Sequence, residues 1–289
     1  MPAAEVHVSL ELVRRLLAGQ QPDLAHLPLE VMANGWDNLI CRLGRELAVR
    51  LPRRAVAAEL IVHEQRWLPV LAGRLPLPVP VPVRTGRPAP GYPWPWSIVP
   101  FLRGRVAASD PPADLADAAA SLGRFLGALH VPAPPDAPVN SHRGVPLAER
   151  GVVVAENVDV LGGRVDRRAV TRAWQEAVAA PAWGGPPVWL HGDLHPANIL
   201  VDRGRLSGVI DFGDITSGDP AADLSVAWMF LPARYHDAFR AASGHGADDQ
   251  TWARSRGWAL ALSLAFLAHS ADNPLIAGIG QRTLEAVLA

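Results

Sequence analysis

The sequence predicts an α+β fold in which a small antiparallel sheet is followed by a larger, mainly helical region. Short strand patterns are concentrated before residue 101, whereas helical periodicity dominates after it. A hairpin pattern between residues 199 and 210 interrupts the helical region and has polar side chains at both ends. We therefore expect two domains, residues 1–100 and residues 101–289.

Composition excludes several classes of protein. The chain has 289 residues, 49% of them hydrophobic and 19% charged, with a net charge of −1, so no global basic field points to nucleic acid. A single cysteine, Cys41, excludes an internal disulfide and a cysteine-based zinc site. All 27 residues counted as lysine or arginine are arginine. Any step that usually needs lysine must use arginine instead.

No targeting or membrane signal stands out in the chain. The N-terminal residues lack the basic-then-apolar layout of a signal peptide. The uncharged, mainly apolar stretch at residues 257–271 is shorter than the ~20 residues that a membrane-spanning helix needs. We therefore expect a cytoplasmic protein without a membrane partner, and the oligomeric state stays open.

The first domain should begin with a helix and a three-stranded meander. Apolar residues of segment 9–18 share one helical face, and strand patterns follow at 29–33, 38–43 and 46–51. A helix over 54–71 comes next, with Glu64 in its middle.

The remaining elements are a proline-rich segment and a series of helices. Residues 75–95 favour a linker or edge strands, because proline cannot donate to a sheet ladder. The residues around Trp96 then indicate a buried strand. Helical patterns follow at 113–130, 167–180, 219–231, 249–271 and 281–288.

The hairpin carries the chemistry. His191, Asp193 and Asn198 precede it, and Asp211 and Asp214 follow it. The spacing His-x-Asp-x-x-x-x-Asn followed by Asp-Phe-Gly is typical of protein kinases. Phosphoryl transfer needs such an arrangement, because the protein mainly positions reactants and neutralises charge with metal ions.

Each of these residues has a predicted role. Asp193 is the candidate catalytic base, since a carboxylate can accept the proton of an attacking hydroxyl; the alternative is a turn-capping aspartate. His191 belongs to the same catalytic loop, which we expect it to hold through backbone hydrogen bonds. Asn198 and Asp211 are candidate Mg²⁺ ligands, because this ion prefers oxygen. Asp214 is a candidate substrate contact, with a metal-bound water or solvent as the alternatives.

Further candidates lie outside the hairpin. Asp223 starts a predicted helix and either caps it or supports the backbone of the catalytic loop. Arg50, on the third strand, is the candidate cation for nucleotide phosphates, with Glu64 as its partner. Arg53 and Arg54 are alternative cations.

The turn at 34–38 should close over the phosphates, and Asn38 is its candidate polar contact. This turn holds a single glycine, and the sequence contains neither a glycine-rich loop nor a P-loop.

These motifs resemble the aminoglycoside phosphotransferase family. HGDLHPANIL and GVIDFGD are similar to its two active-site motifs, and GDPAADL is similar to its third element. GWDN, AVRLP and VHEQRWL look like elements of its N-lobe. The resemblance implies a protein-kinase-like fold, with residues 1–100 as the nucleotide-binding lobe and 101–289 as the catalytic and substrate-binding lobe.

The resemblance also implies residue roles and cofactors. Asp193 would be the catalytic aspartate, and Asn198 and Asp211 would bind Mg²⁺. Arg50 stands where the family has a lysine, which leaves open whether the nucleotide is ATP or GTP. A hinge over 99–102 would bind the base, with the Pro100 carbonyl as acceptor and the Leu102 N–H as donor.

The substrate class is the least constrained expectation. The resemblance implies a small molecule with a hydroxyl group, most simply an antibiotic such as an aminoglycoside; kinases for macrolides, choline and homoserine carry similar motifs. A metal-dependent hydrolase that uses His191, Asp193 and His195 is an alternative. A nucleotide-binding pseudokinase scaffold is another.

Overall fold

The computed structural model describes residues 3–35, 37–244 and 248–289. The chain divides into two compact units. The first, which we call the sheet unit, consists of Met1–Gly73, Pro78–Leu102 and Asp211–Gly213. The second, the helical unit, consists of Arg74–Leu77, Arg103–Ile210 and Asp214–Ala289. The functional roles expected for residues 1–100 and 101–289 stay a prediction.

The sheet unit is built on a five-stranded antiparallel sheet with the order β1-β2-β3-β5-β4. Its elements in chain order are α1 (Leu10–Gln20), β1 (Leu29–Asn34), β2 (Asn38–Leu43), β3 (Leu47–Pro52), α2 (Ala55–Ala72), β4 (Arg84–Gly86) and β5 (Trp96–Pro100). The predicted meander corresponds to β1, β2 and β3. One residue of the predicted turn at 34–38, Trp36, lies outside the described residues.

Amphipathic patterns explain why these elements pack together. Ser9 caps α1 by accepting a hydrogen bond from the Leu12 N–H, at 3.2 Å. The apolar face of α1 and alternate residues of β2 and β3 belong to one buried cluster with Tyr92 and Trp96. Cys41 lies inside it, where burial raises the pKa of its thiol to about 11. The thiol is therefore protonated at neutral pH.

The proline-rich segment contributes an edge strand. β4 lies at the end of the sheet, where β5 is its one paired strand among the described residues, as expected where proline interrupts the hydrogen-bonding ladder. Gly86 pairs with Trp96, and a Cβ added to Gly86 would lie 1.8 Å from the indole. This close approach requires glycine.

The helical unit contains two small sheets, β6-β8-β9 and β10-β7, and eight α-helices in the described part of the chain. Its strands are β6 (Arg105–Val106), β7 (Val188–Leu190), β8 (Ile199–Asp202), β9 (Arg205–Val209) and β10 (Thr216–Gly218). Its α-helices are α3 (Leu115–Leu129), α4 (Gly151–Leu161), α5 (Arg167–Val178), α6 (Ala221–Leu224), α7 (Val226–Phe230), α8 (His236–Ser243), α9 (Asp249–His269) and α10 (Pro274–Leu288).

The hairpin predicted from the sequence is present as β8 and β9. Arg203 and Gly204 form its turn, and both have positive φ, 51° and 76°. Such a turn matches the right-handed twist of the paired strands. The strands hold the segments that carry the polar motifs on either side of the hairpin.

The helices differ from the prediction in four places. α8 was not predicted; it has only eight residues. The pattern at 219–231 is two short helices, α6 and α7, which meet at Ser225. α10 begins earlier than predicted, because Asn273 caps it and Pro274 occupies its first turn. α4 was not predicted; it is rich in β-branched valine, and Val152 and Val160 are exposed on it, which blurs the helical pattern. In the described part of the chain, no helix has both the length and the apolar character needed to cross a bilayer.

We predict that Gly86→Ala destabilises the sheet unit by about 1–3 kcal/mol, because the added methyl group collides with the buried Trp96 ring. Gly19→Ala is the matched control, since a Cβ at Gly19 in α1 meets nothing within 4 Å. Urea unfolding followed by tryptophan fluorescence measures both. Equal stability of the two variants would contradict the packing described here.

Candidate active site

A buried carboxylate anchors the loop between β7 and β8. The backbone N–H groups of His191 and Gly192 donate to the two carboxylate oxygens of Asp223, at 2.7 and 3.0 Å. His130 Nε2 lies 3.2 Å from the same carboxylate. Asp223 is 1% exposed and lies in α6. One side chain thus binds the start of the loop.

The charge of Asp223 is favoured by these contacts. Burial alone would raise the pKa of the Asp223 carboxyl group. The hydrogen bond and charge of His130, and the charge and backbone hydrogen bond of His191, lower this pKa by more than burial raises it. Asp223 is therefore ionised at neutral pH. A carboxylate that accepts several hydrogen bonds is a firm anchor for a loop.

Gly192 allows the loop to pass close to its neighbour. Its φ is 85°, in the left-handed region that favours glycine. A Cβ there would lie 2.2 Å from the backbone oxygen of Asp214. The glycine between His191 and Asp193 is therefore required by packing.

His191 connects the loop to the end of the hairpin. Its Nε2 lies 2.9 Å from the Ile210 carbonyl oxygen, and its Nδ1 accepts a hydrogen bond from the Asp193 N–H at 3.3 Å. The ring is fully buried. Its two nitrogens therefore bind backbone groups on both sides of the hairpin.

The Asp193 side chain faces two nitrogen-bearing side chains. Arg143 Nη2 donates to Oδ1 at 2.8 Å, and His195 Nε2 lies 3.4 Å from Oδ2. The Asp193 side chain is 24% exposed. Burial would raise the pKa of its carboxyl group, but Arg143, His195 and His191 lower it well below its usual range.

Asn198 closes the loop on itself. Its Nδ2 donates to the Asp193 carbonyl at 2.9 Å, and its own carbonyl accepts from the Ile210 N–H at 2.9 Å. The side-chain nitrogen of Asn198 thus has a hydrogen-bond partner, whereas its side-chain oxygen, Oδ1, accepts no hydrogen bond within the described residues. Asp214, on the other side of the hairpin, accepts a hydrogen bond from Asn140 Nδ2 at 2.8 Å.

In the sheet unit, Arg50 is buried between two carboxylates. Its Nη1 pairs with Glu64 on α2, and its Nη2 lies 3.1 Å from Asp211 Oδ1. Arg50 and Glu64 are 5% and 1% exposed, whereas the Asp211 side chain is 56% exposed. Asp211 also has a φ of 66°, which a non-glycine residue rarely adopts and which is common at functional sites.

Electrostatics keeps Arg50 charged. Burial would lower the pKa of its guanidinium, but Glu64 and Asp211 raise it by a larger amount. Burial raises the pKa of Glu64, which the charge of Arg50 partly offsets. The Nε atom of Arg50 is buried and has no hydrogen-bond partner in the described chain.

The other nucleotide-site candidates lie at two places in the sheet unit. Arg53 Nη1 donates to the Gly35 carbonyl at 2.7 Å, and Arg54 pairs with Asp37. Both alternative cations therefore bind the turn at 34–38. Asn38 begins β2, and its Oδ1 is buried without a hydrogen-bond partner among the described residues.

The predicted hinge begins at the end of β5. Pro100 is the last residue of this strand, and the Phe101 N–H donates to the Glu46 carbonyl at 2.7 Å. The Leu102 N–H donates to no protein group in the described part of the chain. Its predicted role as a donor to the base remains a prediction.

The chain matches the sequence model of the Phosphotransferase enzyme family (APH) over residues 28–258. This range includes Arg50, Glu64, the whole hairpin and Asp223. The chain belongs to this family. Membership in the phosphotransferase family confirms the resemblance predicted from the motifs and the predicted class of enzyme.

Curated relatives match shorter parts of the chain. An aminoglycoside 3'-phosphotransferase of Escherichia coli is 31% identical over 120 residues, which are 38% of this chain and 42% of the relative. The uncharacterized protein YcbJ of Bacillus subtilis (strain 168) is 44% identical over 52 residues, 17% of each chain. The chain thus aligns with less than half the length of these curated relatives.

Solved phosphotransferase structures share the fold. The GDP complex of aminoglycoside 2'-phosphotransferase-IIIa superposes with a TM-score of 0.71 at 21% identity, covering 95% of this chain and 97% of that one. Macrolide 2'-phosphotransferase MphH from Brachybacterium faecium gives 0.62 at 23% identity, covering 96% and 98%. These matches confirm the predicted α+β, kinase-like fold with a small antiparallel sheet and a larger helical part.

Asn198 and Asp211, the predicted magnesium ligands, each have an oxygen atom of the kind that Mg²⁺ binds. Asn198 has its amide nitrogen engaged and its oxygen available, and Asp211 has an exposed carboxylate; both are the hard oxygen ligands that Mg²⁺ prefers. Among the described residues, no group of three or more His, Cys, Asp or Glu is arranged to hold a metal ion. An amide and one carboxylate are enough when water and phosphates complete the shell.

The hydrolase alternative fits this geometry less well. It needs His191 and His195 as metal ligands beside Asp193. Both ring nitrogens of His191 bind backbone groups, and His195 Nδ1 accepts a hydrogen bond from the Ala197 N–H at 3.2 Å. These imidazoles are therefore used to shape the loop.

Three residues of the site were missed from the sequence. Arg143, His130 and Asn140 contact Asp193, Asp223 and Asp214, respectively. They lie in or beside the segment that joins α3 to α4, which has no motif and little periodicity. Nothing in their spacing separates them from other polar residues.

We predict that the stability of the protein depends on the charge of Asp223. The pKa of Asp223 is lowered in the folded state, so its contribution is complete above the unfolded value of about 4 and is lost as the pH falls below it. Asp223→Asn should cost about 3 kcal/mol at pH 7 and should flatten the acid limb of the stability curve.

The control is Asp159→Asn, which removes an exposed pair with Arg167. Urea unfolding from pH 3 to pH 8 measures all three proteins. If the stability of Asp223→Asn falls at acid pH as steeply as that of the wild type, the carboxylate does not anchor the loop in the way described.

Proposed function

We propose that this phosphotransferase moves the γ-phosphoryl group of ATP or GTP to a hydroxyl group of a small molecule. The observation that carries the proposal is the position of Asp193, a partly exposed carboxylate on a loop whose backbone is held by Asp223 and His191. Such a carboxylate can orient an attacking hydroxyl and accept its proton. In a reaction that depends mostly on positioning, a rigid loop is what catalysis requires.

Asp193 acts as the base in this proposal, and His191 acts by holding the loop. The pKa of the Asp193 carboxyl group is lowered, so it is ionised throughout the neutral range. A weak base of this kind accepts the proton late, as the bond to phosphorus forms. Its main contribution is to fix the direction of the attacking oxygen.

Asn198 and Asp211 are proposed to hold Mg²⁺, which would neutralise charge on the nucleotide phosphates. Arg50 is proposed to bind the phosphates, with Glu64 and Asp211 keeping its guanidinium in place. The unpartnered Nε of Arg50 supports this role, because a buried donor needs an acceptor. Asn38 and the turn at 34–38 are proposed to contact the same phosphates.

The base is proposed to bind at residues 99–102, through the Pro100 carbonyl and the Leu102 N–H. Solved neighbours include a GDP complex and a streptomycin-ATP complex, which supports nucleotide use without choosing between ATP and GTP. A reaction that consumes ATP or GTP fits the cytoplasm. Asp214 is proposed to contact the acceptor, together with Asn140, which holds its carboxylate.

The acceptor is proposed to be an antibiotic of the aminoglycoside class. Curated relatives are named aminoglycoside 3'-phosphotransferases, and solved neighbours include kanamycin, streptomycin and gentamicin complexes. Macrolides are the second candidate, because two solved neighbours are macrolide 2'-phosphotransferases. A transfer screen with γ-labelled ATP and GTP should cover both classes, with choline and homoserine as further acceptors.

We predict that Asp193→Asn lowers kcat by about 10²- to 10⁴-fold, because the variant cannot accept the hydroxyl proton. Nucleotide binding should be retained. Asp202→Asn is the matched control, since Asp202 is an exposed residue at the hairpin turn. Labelled-phosphate transfer measures the rates, and near-normal turnover of Asp193→Asn would remove Asp193 from its role.

We predict that Arg50→Ala raises the KM for the nucleotide about tenfold or more, because a charge-assisted contact to phosphate is lost. Arg50→Lys keeps the positive charge and should restore most of the binding. The exposed Arg84 on β4 provides the control, Arg84→Ala. Thermal unfolding checks that each variant is folded. An unchanged KM in folded Arg50→Ala would transfer the role to Arg53 or Arg54.

A further inference from the structure

Arg143 contacts the proposed catalytic base but has no role in the function proposed above. It lies between α3 and α4, and its Nη2 donates to Asp193 Oδ1 at 2.8 Å. Within the described chain this is the only ion pair and the only hydrogen bond of its guanidinium group. Its side chain is 20% exposed. Arg143 can therefore bind Asp193 and a ligand at the same time, because the guanidinium presents five donors in a fixed fork.

A second arginine lies near Arg143. Arg150 follows it on a 3-10 helix and contacts His142 Nδ1 at 3.3 Å, without an ion pair to a carboxylate in the described residues. Burial lowers the pKa of Arg150, and the nearby charge of Arg143 lowers it further. Two guanidinium groups thus lie near each other, and of the two only Arg143 has an ion pair to a carboxylate, that of Asp193, within the described residues. The local surplus of positive charge favours an anionic ligand.

The proposed reaction delivers an anion to this place. The hydroxyl oxygen forms a bond to the γ-phosphorus as the bond from that phosphorus to the bridging oxygen breaks. The bridging oxygen keeps the electron pair on the nucleoside diphosphate, and the hydroxyl proton passes to Asp193. The phosphoryl group then lies beside the Asp193 side chain with negative charge on its oxygens.

We propose that Arg143, with Arg150 beside it, is a further catalytic residue that binds the phosphoryl group during its transfer. The inference rests on the proposed function. Arg143 would hold Asp193 Oδ1 with one nitrogen and the phosphoryl oxygens with the others. Its charge would stabilise the transition state, in the manner of an arginine that completes a phosphoryl-transfer site.

A purely structural role explains Arg143 less well. The segment that carries it is already fixed by backbone hydrogen bonds: Asp219 N–H donates to the Gly144 carbonyl at 2.9 Å, and Ser217 N–H donates to the Pro138 carbonyl at 3.1 Å. Asn140 N–H also donates to Thr216 Oγ1 at 2.9 Å. A partly exposed ion pair adds little to stability beyond these contacts.

The test does not require the acceptor to be known. Hydrolysis of MgATP and MgGTP by the full chain uses water as the attacking hydroxyl and measures kcat and KM directly. The variants are Arg143→Ala, Arg143→Lys, Arg150→Ala and Asp193→Asn. Arg167→Ala is the control, because Arg167 pairs with Asp159 at the surface of the same unit.

We expect Arg143→Ala to lower kcat by about 10²-fold, as removal of one donor to a transition-state charge does, with the nucleotide KM nearly unchanged. Arg143→Lys should recover part of the loss, and Arg150→Ala should lose less. Inhibition by inorganic phosphate should weaken in Arg143→Ala, while inhibition by the nucleoside diphosphate should not. A structural defect would not separate these two inhibitors.

Three results would overturn the inference. Wild-type or higher turnover by Arg143→Ala, with Asp193→Asn strongly impaired, would refute a catalytic Arg143 and leave the proposed function intact. If Arg143→Ala weakens inhibition by inorganic phosphate and by the nucleoside diphosphate equally, the substitution disturbs the whole site rather than the binding of the phosphoryl group. If Asp193→Asn hydrolyses nucleotide as the wild type does, the proposed function fails first, and the role of Arg143 fails with it.

Discussion

The rest of the site depends on the hydrogen bonds that the Asp223 carboxylate accepts from two consecutive backbone amides. A carboxylate that is 1% exposed binds the N–H groups of His191 and Gly192. A loop outside regular structure would otherwise bury unsatisfied donors, which is costly. His191 and Gly192 extend this constraint to the hairpin and to the neighbouring segment. Asp193 is thus carried by a backbone with little freedom.

The absence of lysine has a visible structural consequence. Arg50 is buried with two carboxylates around it, and Asp193 is flanked by Arg143. Guanidinium groups suit these places, because each can bind two acceptors at once in a fixed geometry. A buried charge without such partners would be strongly destabilising. Arginine therefore supplies both the proposed phosphate contact and the partner of the proposed base.

The fold and the loop that carries Asp193 could be predicted from local spacing in the sequence, whereas the long-range contacts of the site could not. The hairpin, the meander and the segment from His191 to Asn198 follow from patterns only a few residues long. Arg143 lies 50 residues before Asp193, and His130 lies 93 residues before Asp223, and nothing in the sequence around Arg143 or His130 indicates these contacts. The valine-rich α4 was missed because its residues favour strands as much as helices.

We propose that the chain cleaves a nucleoside triphosphate between the β- and γ-phosphates and transfers the γ-phosphoryl group to a hydroxyl. Phosphorus NMR of the full chain with MgATP or MgGTP and the acceptor panel tests it most directly. We expect resonances of a nucleoside diphosphate and of a phosphomonoester to appear in equal amounts. Pyrophosphate with a nucleoside monophosphate, or no change with any acceptor including water, would contradict it.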